Sequence, residues 1–125
     1  MWIRNEAGQY LIQQRAPHLI SAPGIWATTA GYVQAGEDSL TAALREVHEE
    51  LGLRLSPDSF RRFERLVGNH LMQDIWLVDV IRCSVGTPIM GLEVADWQWA
   101  SKNEITHMIG YGDFFAYSYF DRLPE

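Results

Sequence analysis

The chain has 125 residues, a formal net charge of -6, 47% hydrophobic residues, five Trp and five Tyr. That length and composition suit one packed domain over 1–125, exclude a disordered chain, and leave no apolar run long enough to cross a bilayer. The acidic balance argues against non-specific binding to a nucleic-acid backbone, although a bound divalent ion can still hold an anionic substrate on an acidic protein.

The amino terminus, MWIRNEAGQYL, lacks the basic region and apolar core of a secretory signal, so a cytoplasmic location is expected. A single cysteine, Cys83, excludes an internal disulfide and a multi-cysteine metal site. Within VIRCSV it reads as a strand thiol without a catalytic role.

Residues 2–4 and 9–15 are short alternating runs, and Asn5-Glu6-Ala7-Gly8 between them predicts a hairpin with Gly8 at positive φ. The first strand starts at once after Met1 and is expected to form an edge that needs covering or pairing. Residues 16–24, with two prolines and a closing glycine, predict a loop. Arg15 beside that loop is a candidate phosphate contact, with a surface arginine at a strand end as the plain alternative. The bias of nine Arg against Lys102 alone suits bidentate phosphate contacts. Residues 25–33 predict a strand on which Trp26 and Tyr32 either line a pocket or pack in the core.

The strongest local signal is the helix that follows. Asp38 or Ser39 can cap its start, Leu40, Ala43, Leu44, Val47 and Leu51 recur at helical spacing, and Gly52 supplies the stop. Beyond it, residues 60–67 and 71–82 predict two strands joined through Gly68-Asn69-His70, and residues 94–100 a strand whose Trp97 and Trp99 are core candidates. Ser101 and Glu104 form a capping box opening a helix to about Ile109, and the aromatic tail 113–123 is expected to be helical. The pattern predicts an α/β fold, a mixed sheet sandwiched between helices.

Glu46, Glu49 and Glu50 stand at i, i+3 and i+4, so they share one side of the helix away from the leucine stripe. They crowd its last turns, where the helix dipole is already negative, and only Arg45 is near enough to offset them. A solvated acidic face is the plain alternative, but such faces interleave basic residues and this helix has one arginine and no lysine. Three clustered hard oxygen ligands suit Mg²⁺ or Mn²⁺. His48 sits between the acids and the stripe, and His18, His70 and His107 have no spacing that suggests a zinc site.

The run 31–53, GYVQAGEDSLTAALREVHEELGL, resembles the Nudix hydrolase signature. Gly31, Glu37, Arg45, Glu46, Val47, Glu49, Glu50, Gly52 and Leu53 fill every specified position without a gap. The resemblance implies a Nudix-type α/β/α sandwich and hydrolysis of a nucleoside diphosphate linked to another moiety, a small-molecule diphosphate substrate. It implies Mg²⁺ or Mn²⁺ held by Glu46, Glu49 and Glu50, with the Ala30 carbonyl as a further ligand, Glu37 as an outer acid and Arg45 orienting the carboxylates. The general base differs between members, so Glu49, Glu50 and, from a later loop, Glu93 are the candidates.

Two rival readings stand beside this one. The isopentenyl-diphosphate isomerase branch shares the WxxT-like approach to the signature and the QQR strand end, but it leans on a cysteine near the signature start, where this chain has Ala30-Gly31. A non-catalytic nucleotide-sensing module is the other, against which all three helix acids are intact. The short first strand and aromatic tail leave room for a homodimer, and nothing in the sequence names the substrate.

Overall fold

A computed structural model describes residues 1–30, 33–68 and 71–125, apart from the Leu71 side chain. Gly31, Tyr32, Asn69 and His70, and the expectations placed on them, lie outside the described residues. Strands β1 (Trp2–Arg4) and β2 (Gln9–Arg15) pair antiparallel around the expected hairpin. There the Asn5 side-chain oxygen accepts from the Ala7 and Gln9 amides, and Gly8 takes φ 76°.

The first strand is not an edge. Its free side pairs in parallel with β5 (Leu71–Asp79), Trp2 opposite Leu77 and Arg4 opposite Asp79, and β5 pairs antiparallel with β4 (Phe60–Gly68). The far edge of β2 is covered along its length by β6 (Val94–Ser101). Strand β3 (Trp26–Ala27) pairs with Gln13 and Gln14, which already face β6 on one side, so β3 lies end to end with β1 on the other. The described residues thus form a mixed six-stranded sheet.

Alternation along these strands sorts their side chains into two cores. Trp2, Tyr10, Ile12 and Leu77 join Ile105 of helix α3 (Lys102–Gly110) and the tail residues Phe114, Tyr119, Phe120 and Leu123 on one face. Ile3, Leu11 and Val78 meet Val47 and Leu51 of helix α1 (Ser39–Leu51) on the other. Helices therefore cover both faces, the α/β/α sandwich expected from the sequence. None of the helices among the described residues is long and apolar enough to cross a membrane.

Several local expectations are corrected. Among the described residues of 25–33, only Trp26–Ala27 form a strand, and the tail takes the Trp26 backbone: its N–H donates to the Asp113 carbonyl and its carbonyl accepts from Phe115. The strand expected over 71–82 stops at Asp79, and Arg82–Val85 forms a short helix, α2, whose first amide donates to the Glu6 carboxylate at 2.8 Å. Cys83 is consequently an exposed helical thiol rather than a strand residue. Trp97 and Trp99 are half-buried and pack along the margin of the α1-side core.

The tail is not an α-helix. It runs through a bridge to Trp26 at Phe114 and closes in a single 3-10 turn at Phe120–Arg122. Burial overrides helical propensity here: Tyr10, Phe114, Tyr117, Tyr119 and Phe120 ring the fully buried Trp2, whose indole N–H donates to the Tyr119 hydroxyl at 3.0 Å. The Lys102 ammonium donates to the Asp121 and Leu123 carbonyls, fastening the end of the tail to α3. Both features that suggested a second copy of the chain, the short β1 and the aromatic tail, are thus satisfied within one chain.

Trp2 is the hub of that aromatic cluster, so Trp2→Ala is expected to destabilise the fold by about 3–5 kcal/mol in urea unfolding, with loss of the near-ultraviolet aromatic signal. A cost below about 1 kcal/mol would show that the tail is held by something else.

Candidate functional site

Helix α1 is set by local chemistry. The Asp38 side chain accepts from the Thr41 amide at 2.7 Å, and Gly52 ends the helix at φ 66° with its N–H on the His48 carbonyl. Ala42, Ala43, Val47 and Leu51 are buried, with Leu40 and Leu44 at the margin of that stripe. The segment after α2 lies against the helix end: Ile89 donates to the Leu51 carbonyl at 2.8 Å and Gly91 to the Glu50 carbonyl at 2.9 Å. A side chain at Gly91 would overlap the Glu49 carbonyl oxygen, so the close approach requires glycine there.

Arg45 organises most of the acids. Its guanidinium grips Glu37 through two donors at 2.7 and 3.1 Å, and a third nitrogen reaches Glu46 at 2.7 Å and Glu49 at 3.2 Å. Arg45 and the Gln34 amide hold the Glu37 carboxyl below the usual carboxylate range. Glu46 is withdrawn, its side chain 15% exposed, whereas Glu49 on the outer flank is 56% exposed.

Glu50 is directed elsewhere. Its Oε1 accepts from the Gln13 side-chain amide of β2 at 2.6 Å, in the cleft between helix and sheet. Burial pushes this carboxyl up to about 8; Gln13 opposes the shift and the neighbouring Glu46 carboxyl adds to it. The three helix acids, expected on one open side, are thus divided: Glu49 faces outward with Arg45, Glu50 turns inward along the Val47 and Leu51 stripe, and Glu46 stands between. Among the described residues, no three acidic, histidine or cysteine side chains are already drawn together into a metal-holding group. The donor chemistry nevertheless fits a hard divalent cation, because Glu46 and Glu50 are paired, withdrawn carboxyls whose repulsion a cation relieves.

Ala30 is exposed and follows Thr29, whose hydroxyl donates to the Gln13 side-chain oxygen at 3.3 Å. Glu93 is exposed; its carbonyl accepts from Ala16, and it is two residues beyond the Gly91 contact with α1. Arg15 closes the 16–24 loop, its side chain donating to the Ser21 carbonyl at 3.0 Å and its backbone bonding Gly24 and Ile25. Trp26 is half-buried and packs on the Trp2 core.

Two residues near the acids were missed. Gln13 is one; Tyr117 is the other, its hydroxyl accepting from the Thr28 amide at 3.2 Å. Burial raises the Tyr117 phenol, and the charges of Arg15 and Glu50 both act on it. Two clefts, of about 460 and 420 Å³, lie elsewhere: one beside Arg4, Asp79 and Ile81, the other beside Cys83, Trp97 and Trp99, both reaching Glu6 of the hairpin at the far end of β2.

A sequence model of the NUDIX domain matches residues 1–123. The chain belongs to the Nudix hydrolase family. It is 31% identical over 122 residues to an uncharacterised Nudix hydrolase of Listeria monocytogenes, covering 97% of this chain and 72% of that protein. An isopentenyl-diphosphate Delta-isomerase of Escherichia coli is 28% identical over 114 residues, covering 86% of this chain and 63% of the isomerase. A Deinococcus radiodurans crystal structure superposes with TM-score 0.74 at 21% identity, covering 97% of this chain and 76% of that one. A MutT protein of Methanosarcina mazei does so with 0.71 at 23%, covering 97% and 86%. Nudix hydrolases generally use divalent metals, typically Mg²⁺, and act on nucleoside diphosphates linked to a further group.

The raised Glu50 carboxyl gives this Nudix fold a defined pH dependence. An acid whose folded pKa lies above its ordinary value of 4.5 costs nothing below that value and weakens the metal-free fold as pH rises toward about 8. Metal-free Glu50→Gln is therefore expected to melt above the parent protein near pH 9, the gap closing as pH falls toward 4.5. A gap independent of pH would place the carboxyl in water rather than in the cleft.

Proposed function

We propose that this Nudix hydrolase is a metal-dependent pyrophosphohydrolase, cleaving a diphosphate bond in a nucleoside diphosphate linked to a further group by attack of water on phosphorus. The observation that carries the reading is the withdrawn Glu46 and Glu50 pair beside an arginine that fixes the surrounding acids. Glu46 and Glu50 would hold Mg²⁺ or Mn²⁺, with Glu49, the Ala30 carbonyl and Glu37 completing or supporting the set. A divalent ion there supplies neutralisation of the charge that builds on the phosphate oxygens.

The other roles belong to the chain itself. Arg45 orients Glu46 and Glu49 while its bidentate grip on Glu37 keeps it from swinging away. Of the candidate bases, Glu49 and Glu93 are exposed and can take the proton of an incoming water, whereas Glu50 has one oxygen committed to Gln13. Arg15 and Tyr117 would supply polar contacts to the anionic substrate, and the exposed part of the Trp26 ring an apolar one.

The isomerase reading is disfavoured by the place of the thiol. Cys83 lines a cleft with Glu6, Trp97 and Trp99 that contains none of the helix acids. A sensing module without turnover is disfavoured by the intact set of acids and their ordered arginine.

Phosphate release in Mg²⁺ from nucleoside triphosphates, nucleotide sugars and dinucleoside polyphosphates tests the proposal. The double variant Glu49→Gln, Glu50→Gln is expected to lose at least about a hundredfold in rate on any member that the parent protein cleaves, while melting cooperatively. Undiminished rates in that folded variant would remove the helix acids from the chemistry.

A further inference from the structure

Strand β2 buries a polar side chain on the face of the sheet that α1 covers. Leu11 and Gln13 are two apart and so share the α1 face of the sheet; Leu11 is in the core, and Gln13 is only 5% exposed. A buried amide must have both ends satisfied, and here they are satisfied by different kinds of partner. The Thr29 hydroxyl, itself on a residue 2% exposed, donates to Gln13 Oε1 at 3.3 Å, and Gln13 Nε2 donates to Glu50 Oε1 at 2.6 Å.

The order of donors fixes the direction of this relay. With Thr29 donating to the amide oxygen, the amide nitrogen has to face Glu50, and an N–H donor favours the ionised carboxylate with its Oε1 turned to the sheet. The Glu46 carboxyl acts on the same group, through hydrogen bonding and charge. Glutamate on a helix has three rotatable side-chain bonds, and among the described residues no guanidinium hydrogen-bonds Glu50 as Arg45 does Glu46 and Glu49, the Met1 ammonium acting on it by charge alone. The amide supplies that restraint from the sheet.

We infer that Gln13 is a positioning residue that, locked by Thr29, aims the Glu50 carboxylate toward Glu46 for cation binding. The inference rests on the hydrolase site proposed above. It concerns a residue outside the signature, on a different element from the acids that it serves.

Two variants test it, read by Mn²⁺ affinity measured with the metal alone by electron paramagnetic resonance, by kcat and KM, and by melting temperature. Gln13→Met keeps the length without the hydrogen bonds, and is expected to weaken Mn²⁺ binding and lower kcat by about tenfold or more, with KM changed by less than about threefold. Thr29→Val leaves Gln13 in place but frees its amide to turn over, and is expected to show the same pattern at about threefold. Should Gln13→Met fail to fold, Thr29→Val decides. Parental Mn²⁺ affinity and kcat in the folded variants, or a loss confined to melting temperature, would overturn the role of Gln13 alone. A parent protein that binds no Mn²⁺ and cleaves nothing would overturn the hydrolase site and this inference with it.

Discussion

The contact on which the arrangement depends is the seating of α1 on β2. Val47 and Leu51 go into the core beside Leu11, and the same turn of helix carries Glu50 into the cleft, where it meets Gln13. Because 3.6 residues make a turn, an acid at 50 cannot be moved away from the sheet without moving the leucine beside it. Apolar burial at Val47 and Leu51 therefore supplies the free energy that keeps a carboxyl where its ionised form is disfavoured. Gly52 and Gly91 make this seating possible, one by ending the helix and the other by letting the 89–91 segment reach its last carbonyls.

Arg45 then divides the acids into two populations. Glu37, Glu46 and Glu49 share one guanidinium and have their charge partly balanced in place, whereas Glu50 takes the Gln13 amide dipole and, by charge alone, the Met1 ammonium. A divalent cation added between Glu46 and Glu50 would find one ligand pre-oriented by arginine and the other by glutamine. This asymmetry distinguishes the site from an ordinary acidic helix face, where each carboxylate is solvated independently.

Much of this was legible in the chain, and the division follows the range of the interactions. Asp38, Gly52, the Ser101 and Glu104 capping box and the Gly8 turn are local, and each is placed as the sequence indicates. The interior position of β1 is a non-local parallel pairing with residues some 75 positions away, which periodicity cannot report. The aromatic tail misled for a related reason: its spacing suits a helix, yet its rings are drawn one by one around Trp2. At the site, the signature run points to the acids and Arg45. Gln13 carried little signal, since its strand face also holds Gln9 and Arg15, and it becomes meaningful only when β2 and α1 are known to touch.

The most direct measurement of the central claim is the anomalous difference density of crystals grown with Mn²⁺. The account requires a peak in contact with the Glu46 and Glu50 carboxylates, with the Glu50 oxygen on the sheet side still accepting from Gln13. A peak held by Glu49 on the outer flank without Glu50, or no peak at the end of α1 in protein that hydrolyses nucleotides in the same buffer, would contradict it.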